Sequence, residues 1–191
     1  MGRSGKIFAF EYAGIIPDVI LASKAIGGTQ PMSVVIYNKK LDTWGPGAHA
    51  GTFRGNQLAM VAGTVVMERL KSPGFLEAVI RKGDKFRSRM EALKAECPII
   101  GDVRGKGLML GIEFVDPNGP VDIMGHPMES GTICARVQKE CFENHLVMEK
   151  GGRNGSTMRC LTALNISDED LETGIRILEK VVRNINKEYV K

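Results

Sequence analysis

Between residues 108 and 114 the large apolar side chains recur at every second position: Leu108, Leu110, Ile112 and Phe114 alternate with Met109, Gly111 and Glu113. Successive strand side chains point to opposite faces, so this period of two makes a strand with one buried and one open face. Gly105-Lys106-Gly107 just ahead of it suits a tight turn, with a preceding strand from Ile99. A half-buried pair of strands folds only against a second apolar layer, and the chain supplies helices on both sides.

The spacing predicts a helix from about Phe75 to Ala95. Leu76, Val79, Ile80, Gly83, Phe86, Met90 and Leu93 trace one side, while Arg81, Lys82, Asp84, Lys85 and Arg89 cover the other. Cys97-Pro98 ends it. A further helix carries Ile133, Val137, Cys141 and Phe142 after the proline- and glycine-rich segment 116–131. In the last helix Ser167 can cap the N-terminus, three acidic residues follow it, and Leu171, Ile175, Leu178, Val182 and Ile185 form the buried stripe. Short strands are expected at 146–149 and 158–161, joined by the glycine-rich 150–155. Upstream, Val19–Ala22 and Met32–Tyr37 read as strands and 41–55 as a loop. Gln57–Lys71 reads as a helix with Leu58, Val61, Val65 and Ala62 at core spacing, and Ser72-Pro73-Gly74 breaks it at a domain boundary. The class is α/β or α+β.

With 191 residues, 43% of them hydrophobic, the chain can build a real core. Its net charge of +4 is spread over scattered residues without a basic stripe, so nucleic acid is not an expected partner. The apolar patch Ile7–Phe10 is too short for a signal peptide, and no stretch approaches the ~20 apolar residues of a membrane helix. A cytoplasmic location with buried free thiols at Cys97, Cys134, Cys141 and Cys160 is expected. The histidines (His49, His126, His145) make no metal-binding spacing, so no metal is expected.

One residue stands out chemically. Lys24 follows the apolar run Val19-Ile20-Leu21-Ala22 and precedes Ala25-Ile26-Gly27-Gly28-Thr29-Gln30-Pro31. A buried strand ending at glycines would project its amine over a cleft. Burial would favour the neutral amine that attacks carbonyls, whereas a lysine marking a strand end would simply snorkel to water.

Four segments in order carry a family likeness: Gly2-Arg3-Ser4-Gly5-Lys6 with Pro17-Asp18-Val19; Ser23-Lys24-Ala25-Ile26-Gly27-Gly28; His49-Ala50-Gly51-Thr52-Phe53-Arg54-Gly55-Asn56; and Val103-Arg104-Gly105-Lys106-Gly107-Leu108-Met109. Together they resemble the class III, ornithine-aminotransferase-like, pyridoxal-phosphate enzymes. The loop 41–56 and the segment 149–155 are most similar to members that move an amino group between 2,4-diaminobutyrate and 2-oxoglutarate. Members acting on ornithine or 4-aminobutyrate remain the alternative, as does a non-catalytic module that binds a partner chain.

The resemblance implies fold type I, with residues 1–72 as the C-terminal part of the large cofactor-binding domain and 73–191 as the small C-terminal α/β domain. It implies that Lys24 holds pyridoxal 5'-phosphate as an internal aldimine and then serves as general acid and base. Thr52 matches the threonine that reaches the phosphate of the cofactor held mainly by the partner subunit, so a homodimer is implied. An N-cap of the helix near Gly55 is the competing role for Thr52. Arg104 matches an arginine that pairs with the substrate α-carboxylate, against a plain surface arginine at a turn. Arg153, Arg159, His49 and Trp44 are not given roles.

The phosphate loop, the ring-stacking aromatic residue and the aspartate paired with the pyridine nitrogen, which the family carries upstream, have no match here. The resemblance therefore implies a fragment or split chain, expected to bind cofactor weakly alone and to need a partner or an N-terminal half.

Overall fold

A computed structural model describes residues 1–190. They fall into two compact units, one of Met1–Gly2 with Lys6–Glu77, the other of Arg3–Gly5 with the chain from Ala78 onward.

In the first unit, β1 (Val19–Ser23) and β2 (Ser33–Tyr37) pair antiparallel, Val19 opposite Tyr37 and Ser23 opposite Ser33. Lys24–Gly27 form a single 3-10 turn between them, with Ile26 and Gly27 buried. Helix α1 (Gln57–Lys71) packs against this turn. At Gly63 a Cβ would lie 2.5 Å from the Ile26 carbonyl oxygen, so glycine is what lets the helix come this close. That contact decides which side of α1 is covered. Ala59, Gly63 and Leu70 are buried, while Leu58, Val61 and Val65, expected in the core, are 73%, 65% and 59% exposed. β1 also departs from expectation. It is a strand, but Leu21 is 77% exposed and only Ala22 is buried, because among the described residues a single strand pairs with it and α1 reaches only the turn at its end.

The second unit holds one four-stranded sheet of β3 (Ile100–Lys106), β4 (Met109–Phe114), β5 (Glu149–Gly151) and β6 (Thr157–Cys160), in the order β3-β4-β6-β5 with every pairing antiparallel. The period of two holds: Leu110, Ile112 and Phe114 are buried and Met109 is exposed. The two-residue connection is Gly107-Leu108, one step later than the glycines suggest, since Lys106 still pairs with Met109. The strand expected at 146–149 instead begins at Glu149.

Three helices, α2 (Phe75–Glu96), α3 (Gly131–Glu143) and α4 (Asp168–Asn186), build the core with the sheet. Phe86, Met90 and Leu93 of α2 join Ile133, Val137 and Cys141 of α3 and the predicted α4 stripe in one apolar cluster. Ser167 caps α4, its hydroxyl accepting from the Asp170 N–H at 2.9 Å. Two expectations fail here. Phe142 is 67% exposed because it lies just off the Val137–Cys141 line. Lys82 is buried, its aliphatic stem covered and its ammonium donating to the Ile166 carbonyl.

The outer sides of α2 and α4 are joined by ion pairs: Arg89 grips Glu179 at 2.8 and 2.7 Å and Glu172 at 3.0 Å, and Arg183 reaches Glu96 at 3.0 Å. The four cysteines are free and buried, and burial pushes the Cys134 thiol up to about 11 and the Cys141 thiol up to about 12. Among the described residues no helix is long and apolar enough to cross a membrane.

Candidate functional site

Lys24 opens the turn between β1 and β2 in a left-handed conformation, φ +56°. For an L-residue this costs about 1–2 kcal/mol relative to a right-handed backbone, and glycine would escape the cost. Local backbone preference therefore does not explain a lysine here. Lys24 is exposed rather than buried, contrary to the expectation from the apolar run before it; the strand it follows has a single pairing partner among the described residues and is itself mostly exposed.

The amine borders a cleft of about 1190 Å³ lined by Ser23, Lys24 and β2 on one side and by the loop 44–56 with the start of α1 on the other. Tyr37, Trp44, His49 and Phe53 supply aromatic walls, and Tyr37 and Trp44 meet edge to face at 5.2 Å. The Tyr37 phenol lies above its ordinary pKa, through desolvation first and then the Asp42 carboxylate 3.2 Å away.

Thr52 sits between Gly51 and Phe53, both of which line the cleft. It does not cap α1. That role belongs to Asn56, whose side-chain oxygen accepts from the N–H groups of Leu58 at 3.0 Å and Ala59 at 3.3 Å. The Thr52 hydroxyl is thus left out of helix capping, and the structure brings its loop to the same cleft as Lys24.

A group carrying an aromatic ring, an aldehyde and a phosphate matches these surroundings in kind. The cleft has the volume for it, an amine with no ion-pair partner among the described residues, aromatic walls and hydroxyl-bearing residues.

Arg104 belongs to the second unit and lies within β3 rather than at a turn. It is opposite Gly111, which in turn is opposite Arg159 on β6. The two arginines therefore share one register row, about 10 Å apart across a residue without a side chain. Arg104 is already occupied: it donates to Asp102 at 2.9 Å, to Glu113 at 2.7 Å and to Thr157 at 3.3 Å. The hydrogen bonds to Asp102 and then Glu113 raise its pKa further. Arg159 pairs with Glu149 at 2.5 Å, but its Nε is buried without a hydrogen-bond partner. It also rims a second, mostly apolar cavity of about 460 Å³ lined by Phe86, Leu146, Met148, Leu171 and Ile175. The sequence motif gave a role to Arg104 and none to Arg159; that the two share a row was not legible there, since it depends on the register of neighbouring strands. Arg153 lies at the surface, 3.3 Å from Glu129.

The family description Aminotransferase class-III matches residues 1–182. The Diaminobutyrate--2-oxoglutarate aminotransferase of Rhizobium meliloti (strain 1021) is 49% identical over 172 residues, 90% of this chain and 37% of that protein. The protein of the same name from Haemophilus influenzae is 41% identical over 180 residues, 94% of this chain and 40% of its own length. The chain thus spans about two-fifths of the curated relatives it matches. The crystal structure of acetylornithine aminotransferase from Elizabethkingia anophelis superposes with a TM-score of 0.80 at 28% identity, over 96% of this chain and 43% of that one.

Proposed function

Because the chain belongs to the class III aminotransferases, we propose that it is the lysine-bearing part of a pyridoxal-phosphate-dependent transaminase exchanging an amino group between 2,4-diaminobutyrate and 2-oxoglutarate or glutamate. The observation that carries this reading is a lysine held in a left-handed turn at the mouth of a cleft large enough for cofactor and substrate. The substrate pair is supported by the names of the similar curated proteins.

When bound, pyridoxal phosphate supplies an electron sink for the carbon that loses its proton. The chain's own groups do the rest. Lys24 would hold the group covalently through its Nζ, the carbonyl oxygen leaving as water, and its amine when free would be the acid and base that moves the proton. An arginine could not, because it stays protonated. Thr52 would offer a hydroxyl and a backbone N–H to the phosphate of the cofactor held mainly by the partner subunit. For the substrate carboxylate we assign the Arg104–Arg159 row, where planar guanidinium groups suit a two-oxygen anion. Arg104 must exchange a carboxylate partner to take part, whereas Arg159 has a free Nε.

The proposed working form is cytoplasmic and either dimeric or completed by the remaining family portion. The exposed Leu58, Val61 and Val65 of α1 support an assembly that covers them.

A single-turnover panel tests the assignment. The chain, alone and with the N-terminal portion of a relative supplied in trans, is loaded with pyridoxal phosphate and mixed with 2,4-diaminobutyrate, ornithine or 4-aminobutyrate. Diaminobutyrate is expected to discharge the cofactor fastest, in a species sedimenting as a dimer or as a complex with the added portion. Faster discharge by ornithine or 4-aminobutyrate would reassign the donor, and no discharge by any amine, even with the added portion, would favour the non-catalytic module. A monomer under all conditions would remove the assembly.

A further inference from the structure

The chain holds two Asn-Gly pairs, Asn118-Gly119 and Asn154-Gly155, and both asparagines are exposed. In such a pair the peptide nitrogen of the glycine can reach the amide carbon of the asparagine, because glycine carries no side chain to obstruct the approach. Local sequence makes both pairs reactive. The fold gives them surroundings of opposite charge.

Asn154-Gly155 closes the β5–β6 hairpin, and turn geometry explains its residues. Asn154 has φ +54° and ψ +17°, Gly155 has φ +68°, and the Ser156 N–H donates to the Arg153 carbonyl at 3.1 Å. Two successive positive-φ positions make a type I′ turn, for which Asn-Gly is a preferred pair. The Gly155 N–H reaches the Gly152 carbonyl only at 3.3 Å. A Cβ built on Gly155 would lie 3.9 Å from Lys150 Nζ, so an ammonium with no ion-pair partner among the described residues stands beside this glycine. The Glu129 carboxylate accepts from Asn154 Nδ2 at 3.1 Å and is offset by Arg153 at 3.3 Å.

At Asn118-Gly119 the neighbouring charge is negative. A Cβ built on Gly119 would lie 3.2 Å from Asp116 Oδ2, and Asp116 Oδ1 accepts from the Asn118 N–H at 3.0 Å. The Gly119 N–H donates to the Asp116 carbonyl at 3.1 Å, and Asn118 Nδ2 donates to the Tyr189 carbonyl at 3.1 Å. A nearby carboxylate makes a peptide N–H harder to deprotonate, and a nearby ammonium makes it easier.

We propose that Asn154 is a site of spontaneous deamidation, selected over Asn118 by the Lys150 ammonium beside Gly155. The Gly155 nitrogen gives its proton to hydroxide and bonds to Asn154 Cγ; the Cγ–Nδ2 bond breaks, and the side-chain nitrogen takes a proton from water and leaves as ammonia. Water then opens the resulting ring at either carbonyl, giving aspartate or isoaspartate. Both products lose the Nδ2–H donor and set a second carboxylate against Glu129. Isoaspartate also lengthens the backbone by one atom where there is no slack, since the Asn154 carbonyl oxygen would lie 2.1 Å from a Cβ on Gly131 at the start of α3. The modification therefore loosens the hairpin on which Glu149 pairs with Arg159.

The wild-type chain and its Lys150→Gln, Asp116→Asn and Asn154→Gly variants are incubated in mildly alkaline buffer of low salt, folded and in urea. Peptide mapping by mass spectrometry follows conversion at each asparagine. In the folded wild type Asn154 is expected to convert about tenfold faster than Asn118, the size of effect that two exposed charges of opposite sign produce. In urea the two rates should converge. Lys150→Gln should slow Asn154 about threefold and leave Asn118 unchanged, whereas Asp116→Asn should speed only Asn118. Added salt should shrink the wild-type ratio, a readout that needs no variant.

Asn118 converting as fast as Asn154 in the folded chain, the same ratio in urea as in the fold, or a ratio indifferent to both salt and Lys150→Gln overturns the proposal. So does an Asn154 that converts in urea and not in the fold. The consequence is read separately. The urea midpoint of the wild type should fall as conversion proceeds, while that of Asn154→Gly, which keeps the positive-φ turn and has no amide to lose, should hold; equal drift of both defeats the loosening of the hairpin.

Discussion

Replacing Lys24 with alanine is expected to abolish borohydride-trapped attachment of pyridoxal phosphate and to lower amino transfer by about 10³-fold or more. Proton transfer by a positioned side chain alone contributes ~10²–10⁴-fold, and the lysine also provides the covalent attachment point. Lys24→Gly should be equally inactive, yet the two variants should differ in stability. Lys24 sits at φ +56°, a conformation that glycine adopts freely and alanine does not. The glycine variant is therefore expected to be more stable than the alanine variant by about 1 kcal/mol, read from urea unfolding of both. Label recovered on another lysine in Lys24→Ala would defeat the assignment of the amine. Equal stability of the two variants would show that the turn relaxes and that its backbone holds no strain.

The largest stability effect is expected from one added methyl group. Gly83 lies inside α2, where alanine ordinarily gains about 0.5–1 kcal/mol over glycine. Here a Cβ would lie 2.1 Å from the Gly107 carbonyl oxygen and 2.3 Å from its carbon. Both are backbone atoms and cannot swing aside. Nor can the turn retreat, because a Cβ at Gly107 itself would meet the Arg3 and Ser4 backbone at 2.6 Å, showing the space behind it to be filled. Gly83→Ala should therefore destabilise the second unit by about 3 kcal/mol, the upper end of overpacking costs. Gly174→Ala in α4 is the control: its Cβ would make only an ordinary 3.6 Å contact with Leu146, so it should be neutral or stabilising by up to about 1 kcal/mol. Denaturant midpoints of the two variants moving in opposite directions would establish close approach at Gly83; the same direction would refute it.

Much of the second unit was legible from spacing alone. The α4 stripe, the Ser167 cap and the alternation through Phe114 are local codes, each set by side chains a few residues apart. Lys82 escaped because a helical pattern marks a polar residue without revealing the carbonyl that can receive it, here that of Ile166, far along the chain. In α1 the pattern named an apolar face, but the contact side was decided by Gly63 and Ala59, whose small size allows close approach to the Lys24 turn. Hydropathy weighs large side chains and is blind to that preference.

The candidate site divides in the same way. Lys24, Thr52 and Arg104 were singled out from the order and spacing of short motifs, and the sequence by itself determined the family, the mixed helix and sheet and the position of Lys24 between strand and glycines. Only the tertiary structure decided that Lys24 is exposed in a left-handed turn, that Asn56 rather than Thr52 caps α1, that Arg104 is held by Asp102 and Glu113, and that the loop 44–56 lines the cleft beside Lys24. The physical reason is range. Periodicity, capping and turn formation act over a few residues, whereas the partner of a charge and the clearance above a glycine are set by chain segments that meet only after folding.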